Sequence, residues 1–289
     1  YRFNAWRNWV LTNEYDCVID FRMRPSFVLE FLLSRLIYPK NTIYYVLSGK
    51  LDYYFPKNTL LSKLIYKKRK IATVSEAIKN SIVAKNLSNK VQNLFQPFDI
   101  KAIEYLKEAF ISETNYILAV GSMDNDVKQI DKLILAYSES NLPKQNIKLI
   151  VLGEGKNKRD YLKLVENLNL SQKVVFKGIV QNPFPYYKNA LFYVLSSKNE
   201  GLSNAIVESL ACATPVVAFD CFSGPREIIT NGHNGILVEN QNFEKLTEAM
   251  NQMISDNELY QNLKKNAVGS IGKFSIDLIG KQWVEFIQS

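Results

Sequence analysis

The sequence predicts an α/β protein built on parallel sheets, and three observations support this class. Short apolar runs alternate with longer amphipathic stretches along most of the 289 residues. From Tyr116 onward the apolar runs recur about every 25–35 residues, the spacing that two parallel strands and a crossover helix require. Hydrophobic residues make up 47% and charged residues 22% of the chain, which excludes a disordered or collagen-like protein.

Each element follows from its local pattern. Strands are predicted at short apolar runs bounded by turn residues. In chain order they are Cys17–Phe21, Thr42–Leu47, Ile71–Val74, Tyr116–Val120, Lys148–Leu152, Lys173–Phe176, Leu191–Leu195 and Pro215–Ala218. Helices are predicted where apolar residues recur every three or four positions. They are 26–37, 76–85, 101–109, 128–140, 158–168, 203–212, 242–254 and Ile276–Ile287.

A break near Ser112–Asn115 predicts a linker between two sheets. The first domain would comprise residues 1–112, completed by the C-terminal helix 275–289, and the second would comprise 113–274. The chain opens at Tyr1 in the middle of a pattern, without Met or a signal peptide, so we expect its true N-terminus to be missing.

The positive charge belongs to the first domain. Residues 1–112 hold 18 Lys and Arg against 9 Asp and Glu, whereas residues 113–289 hold 18 against 19. The densest basic segment, residues 57–70, interleaves lysines with leucines. Three interpretations stay open: an amphipathic helix packed on the core, a membrane-surface segment, and a nucleic-acid site. No nucleic-acid motif accompanies the segment, so we predict a membrane surface and no nucleic acid as the partner.

Cysteine, histidine and hydropathy exclude several other classes. Three scattered cysteines (Cys17, Cys212 and Cys221) are too few for a disulfide framework or a zinc cluster and fit a reducing compartment. A single histidine, His233, excludes chemistry that needs paired imidazoles. No apolar run approaches the roughly 18 residues of a membrane span. We therefore expect a cytoplasmic location, with attachment to the inner face of the cytoplasmic membrane as a further expectation.

The strongest functional signal lies where the seventh predicted strand meets the next helix. Gly201 permits a tight turn, and Ser203 or Asn204 can cap the helix. The free N–H groups at such a helix end form an anion site that suits a diphosphate. Glu200 precedes the helix and Glu208 lies in its second turn, and carboxylates accept hydrogen bonds from sugar hydroxyls. The block therefore predicts a nucleotide-sugar site.

Together with its neighbours, this block resembles the retaining glycosyltransferases of family 4, which have the GT-B architecture of two Rossmann-like domains facing a cleft. Glu200 and Glu208 stand in the E-x7-E spacing of that family. Further matching blocks begin at Ala119, Lys128, Val151, Phe176, Ser223 and Asn231. They occur in the family's order over about 170 residues, which makes the resemblance specific. Because the family's first domain is usually longer, the resemblance implies a first domain truncated at its N-terminus.

The resemblance implies a role for each matching residue. Glu200 would contact the hydroxyls of the donor sugar and Lys128 would neutralise its diphosphate, so these two are the expected catalytic residues. Glu208 would hold the nucleotide ribose. The other implied donor-binding residues are Gly201, Leu202, Ser203, Ser122, Gly153, Asn182 and Pro183. Ser122 stands where the family has an arginine, so half of a basic clamp is missing, and Arg226 is a candidate substitute.

The implied reaction is retaining, metal-independent transfer of a hexose or N-acetylhexosamine, from a UDP-sugar by family frequency. The acceptor would be a glycan or a lipid-linked glycan in bacterial surface polysaccharide synthesis, such as lipopolysaccharide or capsule. No cofactor or metal is expected, because Asp124–Asp126 matches a metal-binding pattern only weakly. Two alternatives stay open. One is a weak or inactive relative that binds membranes or polyanions, and the other is a GT-B epimerase or phosphorylase.

Overall fold

The computed structural model describes residues 2–13, 15–24 and 26–289, and it divides into two compact units. The first comprises residues up to Pro97 together with Asp277–Ser289, and the second comprises Phe98–Ile276. Tyr1, Glu14 and Pro25, which fall in the predicted first domain, lie outside the described residues.

The first unit contains a parallel sheet whose four strands lie in sequence order. The strands are β1 (Ile19–Asp20), β2 (Ile43–Val46), β3 (Lys70–Thr73) and β4 (Lys90–Asn93). Its helices are α1 (Arg2–Thr12), α2 (Phe27–Leu36), α3 (Thr59–Tyr66) and α4 (Glu76–Ala84). The last helix of the chain, Ile276–Gln288, also belongs to this unit, except for its first residue. That last helix packs on the sheet, with Trp283 edge-on to Tyr45 and the Lys70 ammonium donating to the Phe286 carbonyl at 2.7 Å.

The second unit contains a six-stranded parallel sheet of order β10-β9-β8-β5-β6-β7. The strands are β5 (Tyr116–Val120), β6 (Lys148–Leu152), β7 (Val174–Gly178), β8 (Tyr193–Leu195), β9 (Val216–Phe219) and β10 (Gly235–Val238). The helices are α5 (Ile100–Leu106), α6 (Ile130–Glu139), α7 (Lys158–Asn167), α8 (Phe184–Asn189), α9 (Asn204–Ala211), α10 (Pro225–Ile228), α11 (Phe243–Ser255) and α12 (Asn257–Ala267). The helix Ile276–Gln288 of the first unit is α13.

Burial explains why the central strands were visible in the sequence. β5, β6, β8 and β9 are apolar on both faces, as parallel strands covered by helices must be, and almost all their residues are buried. All eight predicted strands are present, with β1 shortened to two residues. β4 and β10 were not predicted. β4 has the sequence Lys-Val-Gln-Asn and is only partly covered, and four-residue β10 follows directly on the turn that contains His233.

Three predicted boundaries differ from the structure. Residues 98–112, assigned from the sequence to the first domain, lie in the second unit, because α5 packs against α8 and α9. The Asn182 amide also donates to the carbonyl of Leu106 at 2.8 Å. The helices expected from 128 and 203 begin at Ile130 and Asn204 instead. In the part of the chain that the structure describes, no helix combines the length and apolarity needed to cross a bilayer.

Candidate functional site

The polar block that follows β8 lies at the carboxyl edge of the second sheet, beside the loop that follows β5. The two strands are neighbours, and the strand order reverses between them: β6 and β7 continue on one side, β9 and β10 on the other. In open parallel sheets, ligands bind in the crevice outside the carboxyl ends of the strands at such a reversal. The loop after β5 carries Lys128 and the loop after β8 carries Glu200. The topology therefore brings two distant segments to the position where a ligand is expected.

Lys128 and Glu200 form an ion pair at this edge. The Lys128 Nζ lies 2.6 Å from the Glu200 Oε1, and the two side chains are 23% and 11% exposed. Two hydrogen bonds join the loops that carry these residues: the Lys198 amide donates to the Val127 carbonyl at 2.8 Å, and the Ser196 hydroxyl donates to the Lys128 carbonyl at 2.7 Å. The structure thus brings together the two residues expected to be catalytic. In this sheltered position their charges act more strongly than at an exposed surface.

The turn into α9 differs from the capping that the sequence predicts. Ser203 occupies the N-cap position, but its backbone is left-handed (φ 73°) and its side chain makes no capping bond among the described residues. The expectation that Ser203 or Asn204 caps the helix with a side chain is therefore wrong. Neighbouring backbone sets the turn instead, since the Ser223 hydroxyl donates to the Gly201 carbonyl and Gly224 packs on the carbonyl of buried Leu202. The first N–H groups of α9 are left without a side-chain cap from Ser203.

Three buried hydroxyl groups near this turn have no hydrogen-bond partner within the described ranges. They are Tyr193 Oη on β8, Ser197 Oγ in the following loop and Ser203 Oγ at the start of α9. Buried polar atoms in proteins are nearly always hydrogen-bonded, so three of them on one strand–loop–helix segment indicate a position for ligand or water. The sequence did not predict a functional role for Tyr193 or Ser197. The Ser-Ser pair directly after an apolar strand was the only available signal.

Glu208 lies on α9 and accepts a hydrogen bond from a buried tyrosine. The Tyr187 hydroxyl donates to Glu208 Oε2 at 3.0 Å, and the Tyr187 ring packs edge-on against Tyr193 at 5.7 Å. Burial raises the pKa of Glu208, and the hydrogen bond from Tyr187 opposes that rise. From the sequence alone, the adjacent tyrosines Tyr186 and Tyr187 indicate domain packing. The structure instead gives Tyr187 a direct contact with the carboxylate expected to bind ribose.

Gly153 and two further glycines occur where three neighbouring strands end. Gly121 follows β5, Gly153 follows β6, and Gly178 is the last residue of β7. Gly153 has φ +125°, and a Cβ built on it would lie 2.1 Å from the Gly121 carbonyl oxygen. Its N–H donates to the Gly178 carbonyl at 2.8 Å. Only glycine permits this approach of two backbones, which sets the position of the loop that leads to Lys128.

The remaining predicted donor-binding residues have other partners in the structure. Ser122 is exposed, and its hydroxyl donates to Asp124 Oδ2 at 2.9 Å. Asn182 uses both ends of its amide, donating to the Leu106 carbonyl and accepting from the Phe184 amide at 3.2 Å. Pro183 is the residue before α8. These contacts give Asn182 a structural role, and contacts of these three residues with a donor stay predictions.

The structure shows neither a free Arg226 nor a cluster of metal-ligating side chains among the residues that it describes. Arg226, the candidate substitute for the missing clamp arginine, is exposed and forms a two-pronged pair with Asp220. Over residues 2–13, 15–24 and 26–289, no three His, Cys, Asp or Glu side chains are grouped to hold a metal ion.

The sequence profile of the family described as "Glycosyl transferases group 1" matches residues 101–269, which is more than half of the chain. The matched range contains the whole Lys128–Glu208 site.

Individual relatives agree with the family match. The chain is 31% identical, over 84% of its length and 67% of the relative's, to the N-acetylgalactosamine-N,N'-diacetylbacillosaminyl-diphospho-undecaprenol 4-alpha-N-acetylgalactosaminyltransferase of Campylobacter jejuni. It is 28% identical, over 73% of its length and 59% of the relative's, to the capsular polysaccharide biosynthesis glycosyltransferase CapM of Staphylococcus aureus. The chain thus spans about two thirds or less of the length of these relatives.

Solved structures establish the fold. Anabaena HepE, crystallised with UDP, superposes with a TM-score of 0.79 at 19% identity, covering 97% of this chain and 81% of that one. A glycosyltransferase from Rickettsia africae superposes with a TM-score of 0.80 at 18% identity, covering 99% and 79%. At these identities the likeness shows the fold alone, and it confirms the α/β GT-B fold class that the sequence resemblance implied.

Proposed function

The chain belongs to the group 1 glycosyltransferases, and on that premise we propose that it moves a hexose or N-acetylhexosamine from a UDP-sugar to a glycan or lipid-linked acceptor in bacterial surface polysaccharide synthesis. The named relatives act in lipid-linked oligosaccharide and capsule synthesis, which supports this acceptor class. UDP is bound in the HepE crystal structure, which supports the donor. The assignment to family 4, with retention of anomeric configuration, rests on the spacing of Glu200 and Glu208.

The Lys128–Glu200 pair at the strand reversal is the observation that carries the proposal. It places one cation and one carboxylate beside the start of α9, where backbone N–H groups favour an anion. Glu208 lies in the second turn of that helix. A diphosphate at the helix start would thus meet Lys128, with Glu200 available to the sugar and Glu208 to the ribose. In this arrangement a nucleotide-sugar is recognised at both the donor sugar and the ribose.

The proposed transfer breaks the bond between the anomeric carbon and the diphosphate oxygen. The bonding electrons leave with the nucleoside diphosphate, an acceptor oxygen bonds to the anomeric carbon on the same face, and the proton of that oxygen passes to the departing diphosphate. Negative charge therefore grows on the diphosphate in the transition state. Lys128 and the α9 amides are fixed in advance and would stabilise that charge, which is how preorganised groups lower a barrier. We propose that this positive charge takes the place of a metal ion.

Incubation of the chain with a panel of nucleotide-sugars and a lipid-linked or glycan acceptor tests the proposal. We expect release of UDP together with a glycosidic product of retained configuration, undiminished by a metal chelator. Free sugar without a glycosidic product would contradict transfer and favour the epimerase or phosphorylase alternative. Absence of both UDP release and UDP binding would favour the inactive membrane- or polyanion-binding relative, for which Ser122 in place of arginine is the supporting observation.

The Tyr187–Glu208 bond predicts a defined pH dependence of donor binding. If ionised Glu208 accepts the ribose hydroxyls, UDP affinity is lost as the pH falls through the Glu208 pKa, by up to about tenfold per pH unit. The hydrogen bond from Tyr187 lowers that pKa. Tyr187→Phe removes the bond, so the pKa rises and the acid limb of the binding curve moves to higher pH. Calorimetric titration of UDP across pH 4–8 measures the shift.

Two variants control this measurement. Tyr116→Phe also removes a buried phenol hydrogen bond, but its acceptor is the Tyr186 carbonyl at 2.8 Å, so the acid limb should stay in place. Glu208→Gln should weaken UDP binding about tenfold near neutral pH and remove the part of the acid limb that Glu208 contributes. An unshifted limb in Tyr187→Phe, with normal folding, would show that Glu208 does not control donor binding.

The location and the membrane partner follow from the acceptor. A lipid-linked acceptor places the reaction at a membrane surface, so we propose that the chain works at the cytoplasmic face of the membrane. Basic residues 57–70 would attach it there, as their composition predicts.

A further inference from the structure

A strongly basic pocket of about 580 Å³ lies in the first unit, between α2 and α3. Six of its ten lining residues carry positive charge, and none of the lining residues that the structure describes is acidic. The cations are Arg35, Lys40, Lys63, Lys67, Lys68 and Arg69. Neither the donor site nor the transfer chemistry uses these residues, and α2 contributes to the pocket although the sequence drew attention only to residues 57–70.

The positive charge in this pocket is not neutralised by the protein. The Arg69 guanidinium donates to the carbonyls of Pro39 and Ser34 at 2.7 and 2.8 Å, and Arg35 donates to the carbonyl of Leu64 at 3.3 Å. These acceptors are neutral, so the bonds fix the arginines without removing their charge. Within the described ranges no ion pair involves any of the six cations. Like charges held this close repel one another, and a bound anion would relieve the repulsion.

Exposed leucines lie on the two helices that contribute to the pocket, and one of them, Leu64, lines it. Leu60 and Leu64 on α3 are 71% and 57% exposed, and Leu32 and Leu36 on α2 are 41% and 46% exposed. Each pair is four residues apart, so its members share one face of their helix. The inward face of α3 is formed by other residues, namely Ser62, Ile65 and Tyr66. The interpretation of this segment as an amphipathic helix packed on the core therefore holds for Ile65 and Tyr66, whereas Leu60 and Leu64 are exposed to solvent.

We propose that the α2–α3 surface, meaning the six cations and four leucines named above, docks the phosphate of an anionic lipid headgroup. The cations would contact the phosphate, and the leucines would enter the boundary between headgroups and acyl chains. Free phosphate or a nucleic acid would use the cations but would leave the leucines in water, so the exposed leucines favour a lipid. The inference deepens and rests on the membrane attachment proposed above, but it does not depend on the transfer chemistry.

Vesicle binding with matched charge changes tests the inference. The pocket variant Lys63→Gln/Lys68→Gln is compared with Lys50→Gln/Lys85→Gln, whose lysines are exposed in the same unit, lie outside residues 57–70 and do not line the pocket. Vesicles contain phosphatidylcholine alone or with about 30% phosphatidylglycerol. A lysine at an anionic surface contributes about a fivefold factor in binding. We expect the pocket variant to lose about 20-fold in partitioning onto anionic vesicles, and the control less than about threefold.

The leucines give a second, independent measurement. Leu64→Gln should lower vesicle binding about tenfold, whereas Val83→Gln, at a 52% exposed position on α4, should leave it within about twofold. Equal losses in the two lysine variants would overturn the proposal, because diffuse charge would then explain binding. Tighter binding of inorganic phosphate or of a DNA duplex than of anionic vesicles would overturn it as well. A chain that binds vesicles but releases no UDP would refute the transferase proposal and leave this surface supported.

Discussion

Lys128→Ala should keep the fold and lower kcat by about 10²–10³-fold, with a smaller change in KM for the donor. Removal of one fixed donor from a site of growing negative charge typically has an effect of this size. The loss should appear mainly in kcat because the diphosphate charge is larger in the transition state than in the bound donor. Steady-state release of UDP at saturating acceptor, over a range of donor concentrations, separates the two parameters.

The matched control is Lys198→Ala in the neighbouring loop. Lys198 pairs with Asp126 at the surface and does not contact Glu200, so its removal should leave kcat within about twofold. Comparable losses for the two lysines would show that general positive charge, rather than the position of Lys128, assists the reaction. Unchanged donor turnover in Lys128→Ala would remove Lys128 from the mechanism.

The ion pair also contributes to the free energy of unfolding, and this contribution must be measured separately from catalysis. Lys128→Ala leaves Glu200 without its cation partner at a position where its side chain is only 11% exposed, which should lower the free energy of unfolding by about 1–2 kcal/mol. Glu200→Gln in the same background should recover part of that stability without restoring kcat. If the two residues act as one unit, the double variant should be no slower than the slower single variant.

The sequence was informative where one local pattern decides the structure. Buried parallel strands such as β5 and β6 are continuous apolar runs, so their existence could be predicted from a few residues each. The spacing of Glu200 and Glu208 depends on one loop and one helix, and it indicated a candidate site for the same reason. The family resemblance supplied the fold beyond these patterns.

Long-range features of the site could not be predicted. The contact of Lys128 with Glu200 depends on β5 and β8 being neighbours, and strand order is set by crossover connections rather than by local periodicity. Tyr187 has its carboxylate partner on another helix, so its sequence neighbours indicated only packing. Leu60 and Leu64 follow helical spacing, but the spacing does not say whether their face meets core or solvent.

Gly153→Ala is expected to destabilise the second unit by about 3 kcal/mol or more. The new methyl would meet the Gly121 carbonyl oxygen at 2.1 Å, and the backbone angle φ of +125° is itself unfavourable for any residue with a Cβ. Because the obstacle is backbone at the end of β5, relief requires the ends of β5 and β6 to separate. Denaturant unfolding of the variant and the parent chain measures the difference, at constant m-value.

Substitutions at three other glycines distinguish the effect of backbone strain from that of the steric clash. Gly232 has φ +75°, but a Cβ there would have no atom within 4 Å, so Gly232→Ala should cost about 1 kcal/mol from backbone strain alone. Gly269 has neither a positive φ nor a neighbouring atom, so Gly269→Ala should be near neutral or slightly stabilising. Gly121→Ala meets only the flexible Lys128 side chain, at 2.8 Å from its Cγ, so it should spare stability and lower kcat by displacing Lys128. If Gly153→Ala were no worse than Gly232→Ala, the strand ends would not be in contact, and the loop carrying Lys128 would lack the support on which the proposed site depends.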